Sequence, residues 1–379
     1  MINTKTKSSG TIYFYANLGD LDKPVYGGGE AGNRRTLEII QKLRYDVIPI
    51  AKYLKSSGAK LTKIFKTGFK MFSNLQRYFR ILFKDSSDNA IVHISGFYGV
   101  MVYWEFLLLV IAKKMGYRIV YEMRGGGADK FFKTGNKIYR KIFTLLIKSA
   151  DVILSQGEEN MPLLKQISKS VKVFYYPNYV LPEFIPETLP VKPNDKINLI
   201  YFGRLSPQKN IQTIITSLAI LKSKISDKPV TLTLIGAYSS KDYFKTLTNQ
   251  IKEQELCENV TILPPMHQLE LVKNLRDKHY FIFPSEEERE GHSNALTEAM
   301  AYGIVPIASR QGFNSSVVNN HNLIMSTIDS GKIVDTIIEI ESNNKFVELS
   351  LEMYERVKVV FSYDRAVQVL SETYTFLLK

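Results

Sequence analysis

One stretch of the chain, residues 280–309, constrains the fold more than any other: YFIFPSEEEREGHSNALTEAMAYGIVPIAS. Its two ends, residues 280–283 and 305–308, are apolar runs with the length and composition of buried strands. Between them, an acidic loop leads into a short helix that Ser293 or Asn294 can cap. The unit is therefore a strand, a loop, a helix and a strand. In open α/β sheets, ligands bind where the carboxyl end of a strand meets a helix N-terminus, and anions are attracted to that place.

The same alternation of strands and helices runs through the whole chain, whose 379 residues are enough for two domains. Apolar runs in the first half predict the strands of a parallel sheet: residues 11–17, 46–50, 89–95, 117–123, 151–155 and 171–176. A second series predicts another sheet: residues 197–202, 230–235, 260–263, 280–283 and 305–308. Between the two series, the proline-spaced stretch 181–195 is typical of a linker. The sequence thus predicts two doubly wound α/β domains, covering residues 1–190 and 195–360.

The composition narrows the class of protein further. Hydrophobic residues make up 45% of the chain, and the single cysteine, Cys257, excludes an intramolecular disulfide framework and fits a reducing cytoplasm. The chain opens without the apolar segment of a signal peptide, and the apolar segment 101–112 is too short for a membrane span and carries Glu105. We therefore expect a cytoplasmic protein in which this segment is a buried helix. The formal net charge of +13 favours an acidic partner, which can be nucleic acid, anionic lipid or a phosphorylated substrate.

Two glutamates, Glu290 and Glu298, frame the loop and the helix of residues 280–309 with seven residues between them. The run EGHSNALTEAMA, which starts at Glu290 and lies between two strands, resembles the signature of retaining GT-B glycosyltransferases of family 4. The resemblance implies two Rossmann-like domains that face each other across a cleft. The first, residues 1–190, would bind the acceptor, and the second, residues 195–360, the nucleotide sugar. The C-terminal helix within residues 361–379 would pack back on the first domain. The alternative is that both glutamates lie on a solvated helix face.

A second motif, FGRLSPQKN at residues 202–210, is similar to the G-R-L-x-x-x-K loop of the same family. After Gly203, the cations Arg204 and Lys209 stand between a strand end and a helix start, so both can reach one diphosphate. A nucleoside diphosphate gains negative charge as its bond to the sugar breaks, and preorganised cations stabilise that transition state more than the ground state. We therefore expect Arg204 and Lys209 to replace a metal ion, with no cofactor beside a UDP- or GDP-linked donor. The alternative is an ordinary basic loop.

The resemblance also implies roles for single residues around the donor. Glu298 would accept hydrogen bonds from the ribose hydroxyls, and Glu290 would contact hydroxyls of the donor sugar and take part in catalysis. The remaining positions would contact the sugar or hold phosphate oxygens with their backbone amides: Gly291, His292, Ser293, Asn294 and Ala295. Two departures from the family leave the identity of the base open. Pro264 and Pro265 replace a usual glycine, and residues 311–316 lack a usual acidic residue.

Five residues of the first half are further candidates. Gly28 and Gly29 stand between a strand and a helix, where glycines let the backbone approach a phosphate, although the glycines can also be a flexible turn. His93 or Ser95 lies where the family often keeps a histidine that faces the sugar; alternatively, His93 is a core residue with a satisfied imidazole. Arg124 ends a predicted strand before three glycines, a good place to meet an anionic group of the acceptor.

The most unusual segment is residues 52–84, which contains no acidic residue. It carries nine basic residues: Lys52, Lys55, Lys60, Lys63, Lys66, Lys70, Arg77, Arg80 and Lys84. Large apolar residues, among them Phe65, Phe69, Phe72 and Phe79, recur in it at helical spacing. Basic amphipathic helices with aromatic residues bind anionic membranes, so we predict a peripheral protein on the inner face of the cell membrane. The alternative is a core-facing helix with a solvated basic face.

Together these features predict a retaining glycosyltransferase that acts on a lipid-linked glycan in the synthesis of a bacterial surface polysaccharide, such as a capsule or lipopolysaccharide. Three other classes of protein compete with it. A catalytically inactive GT-B protein would bind a nucleotide or serve as a scaffold. A nucleic-acid-binding protein would explain the charge, but the chain has no recognisable nucleic-acid motif. A phosphorylase or epimerase would need a pyridoxal-binding lysine motif or an acid pair that the sequence does not show.

Overall fold

The computed structural model describes residues 10–23, 28–52, 60–84 and 88–379, with the side chains of the third range from Gly68 onward. The chain divides into two compact units, Met1–Pro177 with Ala366–Lys379, and Asn178–Arg365. Each unit contains a six-stranded, all-parallel sheet, in the orders β2-β1-β3-β4-β5-β6 and β12-β11-β10-β7-β8-β9. The predicted fold of two doubly wound sheets is therefore confirmed.

The elements follow the predicted alternation. The strands are β1 (Thr11–Ala16), β2 (Asp46–Ala51), β3 (Ala90–Phe97), β4 (Arg118–Arg124), β5 (Val152–Ser155), β6 (Lys172–Tyr175), β7 (Ile197–Phe202), β8 (Val230–Ile235), β9 (Val260–Leu263), β10 (Tyr280–Phe283), β11 (Val305–Ser309) and β12 (Ile324–Met325). The helices are α1 (Gly28–Lys42), α2 (Lys60–Lys84), α3 (Met101–Lys114), α4 (Ala128–Thr134), α5 (Lys137–Ser149), α6 (Met161–Ile167), α7 (Ile211–Lys224), α8 (Lys241–Glu253), α9 (Gln268–Leu271), α10 (Asn294–Met300), α11 (Asn314–Val318), α12 (Ser330–Ser342), α13 (Phe346–Val360) and α14 (Tyr363–Leu378).

The strand order creates one switch point in each sheet. In the second sheet the chain runs from β7 outward through β8 and β9, and then returns to place β10 on the other side of β7. The loops that follow β7 and β10 therefore leave the sheet side by side at the carboxyl ends of the strands. Open α/β sheets bind ligands at this place, so the topology brings both sequence motifs to the expected position.

The proline-spaced stretch 181–195 lies inside the second unit, because the units divide after Pro177. Phe184 is buried and packs edge-on against Tyr302, with ring centroids 5.4 Å apart. The Tyr354 hydroxyl donates to the carbonyl of Pro186 at 2.8 Å. The segment is thus packed against its own unit through the ring of Phe184 and the carbonyl of Pro186.

The helical stretch after β4 is interrupted, because it consists of two helices, α4 and α5. A Cβ atom at Gly135 would lie 2.5 Å from the ring of Tyr139, so this position requires glycine. The following residue, Asn136, begins α5 by accepting a hydrogen bond from the backbone N–H of Tyr139 at 2.8 Å. A tight contact and a side-chain cap therefore override the continuous helical pattern.

Lys52, which the sequence assigned to the membrane-binding segment, is a core residue. Its ammonium lies 2.8 Å from Glu105 of α3, and both side chains are buried. Burial raises the pKa of Glu105, against the opposing effects of Lys52 and of the Tyr121 hydroxyl, which donates to Glu105 at 2.8 Å. The prediction of a buried helix around Glu105 thus agrees with the structure. Within the described ranges, no helix is long and apolar enough to cross a membrane.

Helix α2 presents apolar side chains on two sides. Tyr78 and Leu82 are fully buried, and Asn74 donates a hydrogen bond to the carbonyl of Ala51 at 3.0 Å, which holds the helix on the first sheet. The opposite side, which we call the outer face of α2, carries exposed phenylalanines and cations: Phe69, Lys70, Phe72, Arg77, Phe79, Arg80, Phe83 and Lys84. The side chain of Phe65 lies outside the described residues. One helix therefore combines a core contact with an exposed basic and aromatic face.

Candidate active site

The loops after β7 and β10 are joined by hydrogen bonds at the switch point of the second sheet. The Asn210 side chain donates to the carbonyl of Pro284 at 2.9 Å. The backbone N–H of Glu286 donates to the carbonyl of Gln208 at 2.8 Å. Asn210 has a φ of 51°, which turns the chain into α7. The two motifs of the sequence therefore share one frame, although about eighty residues separate them.

Lys209, Ser285 and Glu290 form the centre of the site. The Lys209 ammonium contacts the Glu290 carboxylate and lies 3.2 Å from the hydroxyl of Ser285. The same hydroxyl donates to Glu290 at 2.6 Å. Only 12% of each charged side chain is exposed, and Phe283 lies below the ammonium at 5.3 Å from ring centroid to Nζ. Sequence reasoning missed Ser285; its signal is a small hydroxyl residue directly after the strand-ending proline.

Arg204 is exposed at the carboxyl end of β7. Its carbonyl accepts a hydrogen bond from the Tyr201 hydroxyl at 3.0 Å, which fixes the backbone next to Gly203. Burial and the nearby Glu290 carboxylate raise the pKa of Tyr201 well above its ordinary value, so the phenol stays a hydrogen-bond donor. The structure thus places the Arg204 backbone beside the Lys209 and Glu290 pair.

The donor loop, which we define as residues 290–295, packs closely against Gly312. A Cβ atom at Gly312 would lie 1.8 Å from the carbonyl oxygen of Glu290, and its φ of +57° also favours glycine. Helix α10 begins after Ser293, whose side chain makes no cap hydrogen bond in the described structure. The predicted side-chain cap by Ser293 is therefore absent, which leaves the first-turn amides to other partners.

The remaining predicted donor residues occupy two different environments. The side chain of His292 is buried: its ring packs against Phe361 at 5.1 Å, and Nε2 lies 3.3 Å from the hydroxyl of Thr297. Glu298 is half-buried and accepts a hydrogen bond from the side chain of Gln268 at 2.8 Å. Gly291, Asn294 and Ala295 are also half-buried. Neither Glu290 nor Glu298 lies on a fully solvated helix face.

An apolar cavity of about 480 Å³ lies at the carboxyl ends of β8 and β9. It is lined by Gly236, Tyr238, Phe244, Ile262, Pro264 and Pro265, among others. The cavity adjoins the Arg204 loop, because the backbone N–H of Leu205 donates to the carbonyl of Ala237 at 2.8 Å. A flat apolar group bound there would be a direct neighbour of a phosphate at Arg204.

In the first unit, the predicted glycine-rich loop differs from the structure. Gly28 and Gly29 form the first turn of α1, and a Cβ atom on either would meet no described atom within 4 Å. No described contact therefore requires glycine at these positions. Ser95 is buried, and its hydroxyl donates to the side chain of Asn33 of α1 at 2.7 Å.

His93 and Arg124 are joined through Glu122, which sequence reasoning missed. His93 is fully buried, with Nδ1 2.7 Å from the Tyr374 hydroxyl of α14 and Nε2 3.4 Å from Glu122. Arg124 is buried as well, and one of its nitrogens lies 2.5 Å from Glu122. Burial opposes ionisation of Glu122, but Arg124 and His93 outweigh it and hold its pKa below the ordinary value. The placement of His93 matches the core alternative. The signal for Glu122 was its spacing of two from Arg124 on one strand.

Residues 187–359 match the family model described as Glycosyl transferases group 1. The chain contains a glycosyl transferases group 1 domain. This domain lies entirely within the second unit and holds the Lys209, Ser285 and Glu290 cluster, the donor loop and the apolar cavity.

The chain is similar to part of two curated relatives, both described as D-inositol 3-phosphate glycosyltransferase. It is 31% identical over 121 residues to the protein from Arthrobacter sp. (strain FB24), and the alignment covers 32% of this chain and 28% of that protein. It is 30% identical over 115 residues to the protein from Pseudarthrobacter chlorophenolicus, and the alignment covers 30% of this chain and 27% of that protein. The match thus spans less than a third of either relative.

Solved structures resemble the whole chain. Sucrose-phosphate synthase from Thermosynechococcus elongatus has a TM-score of 0.71 at 17% identity, covering 97% of this chain and 99% of that one. A glycosyltransferase from Rickettsia africae has a TM-score of 0.70 at 14% identity, covering 98% and 100%. Anabaena HepE in complex with UDP has a TM-score of 0.68 at 13% identity, covering 97% and 100%. The likeness shows the fold, in which the group 1 domain is one of two Rossmann-like domains of the GT-B class.

Proposed function

We propose that the protein is a retaining, metal-independent glycosyltransferase of family 4, which moves a sugar from a nucleotide sugar to a hydroxyl group of a glycan acceptor. The observation that carries the proposal is the cluster of Lys209, Ser285 and Glu290 at the switch point of the group 1 domain, beside Arg204. A cation held in place by a carboxylate and a buried hydroxyl is preorganised for a diphosphate leaving group.

The reaction follows from the charges at this cluster. The bond between the anomeric carbon and the diphosphate oxygen breaks, and the acceptor oxygen forms its new bond on the same face of the sugar. Lys209 and Arg204 stabilise the charge that develops on the diphosphate, whose departing oxygen takes the proton of the acceptor hydroxyl. Glu290 contacts hydroxyls of the donor sugar and holds Lys209 in position. No nucleophile from the enzyme is needed.

The donor in this proposal is a UDP- or GDP-linked sugar. Anabaena HepE, which shares the fold, has been solved in complex with UDP and with UDP-glucose. The apolar cavity at Tyr238, Pro264 and Pro265 would accommodate the base, while Arg204 and Lys209 meet the diphosphate. Glu298, held by Gln268, would bind the ribose hydroxyls between them.

Release of the free nucleoside diphosphate from a panel of nucleotide sugars, with and without glycan acceptors, tests the proposal directly. We expect release from at least one UDP- or GDP-sugar, with the anomeric configuration of the product equal to that of the donor by NMR. Tight binding of a nucleotide without any turnover would support an inactive nucleotide-binding or scaffold protein instead.

Glu298 and Glu290 should affect binding and transfer differently. Glu298→Ala removes a contact to the ribose, so the affinity for free UDP or GDP should fall by up to about tenfold, the range of one hydrogen bond. Glu290→Ala should leave that affinity almost unchanged, because free UDP or GDP lacks the sugar that Glu290 contacts. It should impair transfer, because it removes the contact to the donor sugar and the partner that holds Lys209 in position. Calorimetric titration with the free nucleotide measures both variants. Equal affinities of wild type and Glu298→Ala would contradict the ribose assignment.

The acceptor in this proposal is a lipid-linked glycan of a bacterial surface polysaccharide, such as a capsule or lipopolysaccharide, reached from the cytoplasmic side of the cell membrane. The outer face of α2 supports it, because Phe69 and Phe83 are about three-quarters exposed next to cations of the same helix. Exposed aromatic side chains cost free energy in water and gain it in a bilayer interface, while cations attract anionic lipid headgroups. We propose that this face holds the protein on an anionic membrane.

A further inference from the structure

The backbone of the donor loop is held by the first residue of the second unit, Asn178. Its side-chain amide donates to the carbonyl of His292 at 3.3 Å and to the side-chain oxygen of Asn294 at 2.8 Å. Asn178 is 9% exposed, so these contacts are shielded from water. One amide thus contacts the donor loop at two positions, two residues apart.

The segment that carries Asn178 is itself fixed to the other end of the second unit. The backbone N–H of Val180 donates to the carbonyl of Phe361 at 2.8 Å, and the rings of Tyr179 and Tyr363 meet edge-on at 5.6 Å. We call residues 178–180 and 361–363, at the two ends of the second unit, the border segments. The first contacts the carbonyl of His292 through Asn178, and the second packs against its imidazole through Phe361.

Phe361 has a fixed position of its own. The Arg356 guanidinium lies 5.4 Å from the centre of its ring and donates to the carbonyls of Ser316 and Val317 at 2.6 and 2.8 Å. These contacts connect the support of His292 to α11, which follows the Gly312 turn beneath Glu290. The donor loop therefore packs against Gly312 at Glu290 and against the border segments at His292 and Asn294.

The donor loop needs such support because most of it has no regular secondary structure. Buried backbone carbonyls require a hydrogen-bond partner, and Asn178 supplies one for His292. If the direction of this carbonyl changes, the peptide planes on either side of it rotate. These planes connect Glu290 to the amides at the start of α10, which are the groups that would meet the sugar and the diphosphate.

We infer that Asn178 is a positioning residue, which fixes the backbone of the donor loop and thereby orients Glu290 and the amides of residues 293–295. Asn178 and Phe361 then fix the loop through their contacts with His292, whose buried imidazole has a packing role. The identity of the bound ligand rests on the proposed function, but the fixing of the loop does not.

Two variants of Asn178 test the inference. Asn178→Ala removes both hydrogen bonds. Asn178→Asp keeps the shape and can keep the contact to Asn294 if the Asn294 amide turns round, but a carboxylate cannot donate to the His292 carbonyl. The matched control is Asn198→Ala, at the amino end of β7 in the same unit. Asn198 is also a buried asparagine, and its side chain donates to the carbonyl of Asp277 at 2.9 Å.

Hydrogen exchange of the backbone amides in residues 290–300 is the first measurement. We expect exchange to be up to about tenfold faster in Asn178→Ala and Asn178→Asp, the range for loss of one hydrogen bond, and unchanged in Asn198→Ala. Unchanged exchange in both Asn178 variants, or equally faster exchange in the control, overturns the inference. Faster exchange in Asn178→Ala alone overturns the role of the His292 carbonyl.

Steady-state kinetics, well below the melting temperature of each variant, are the second measurement. Misplacement of a catalytic group by about 1 Å can cost about a hundredfold, so kcat should fall by about 10- to 100-fold in both Asn178 variants and stay normal in the control. A normal kcat with faster exchange overturns the link between loop and chemistry. If the wild type turns over no nucleotide sugar, the proposed function has failed, and the exchange experiment still decides whether Asn178 fixes the loop.

Discussion

Replacement of Lys209 by alanine should lower kcat by about two to three orders of magnitude, with a much smaller change in KM. The ammonium is held between Ser285 and Glu290 before any donor binds, so its orientation requires no reorganisation in the transition state. Its interaction strengthens as the diphosphate gains charge, and the loss should therefore appear in kcat. Steady-state kinetics with the best nucleotide sugar give the result, and Arg204→Ala should change kcat in the same direction.

Controls separate chemistry from stability in this experiment. Lys209→Ala leaves the Glu290 carboxylate without its cation, which also destabilises the fold. The double variant Lys209→Ala/Glu290→Gln removes that unpaired charge, so it should melt at a higher temperature than Lys209→Ala and be no more active. Lys241→Ala, which removes an exposed lysine of the same unit, should behave like wild type. A normal kcat with a raised KM for Lys209→Ala would refute the leaving-group role.

Reversal of four cations on the outer face of α2 should abolish binding to anionic vesicles. The variant replaces Lys70, Arg77, Arg80 and Lys84 by glutamate, all of which are exposed. Each basic residue near an anionic leaflet contributes about 1 kcal/mol, so loss of four attractions alone weakens partitioning by roughly a thousandfold. Vesicle flotation with anionic and with neutral lipids measures the effect. Wild-type binding should weaken as salt rises, because counterions screen the attraction.

A charge-matched control tests whether α2 is the membrane contact. It replaces four exposed lysines of the second unit by glutamate: Lys241, Lys245, Lys252 and Lys345. Both variants change the net charge by the same amount, but only the α2 variant should lose vesicle binding. Each should retain hydrolysis of the nucleotide sugar, because the exchanged residues lie outside the candidate active site. Equal vesicle binding by wild type and the α2 variant would exclude α2 as the contact, and the proposed lipid-linked acceptor would lose its support.

The amino-acid sequence by itself determined the elements and the position of the two motifs. Apolar runs of strand length, separated by helical patterns, predicted all eleven strands β1–β11 within a few residues, as well as the last helix, α14. A parallel sheet places the carboxyl ends of its strands on one edge, so the loops that carry Lys209 and Glu290 were expected on the same edge. The strand order, with β10 next to β7, makes them neighbours. Local sequence patterns suffice for such conclusions, because the period of the apolar residues identifies each element and the alternation of strands with helices gives the strands of a sheet one direction.

Only the tertiary structure decided which side chains meet. Asn178 and His292 are 114 residues apart, and Lys52 pairs with Glu105 across 53 residues. Such contacts have no period along the chain, so a lysine that pairs in the core and a lysine that faces solvent look the same in the sequence. The requirement for glycine at residue 312 likewise arises from the Glu290 carbonyl, which the fold brings against it. Burial and partner choice depend on the packing of distant segments, and for this physical reason they emerge only in three dimensions.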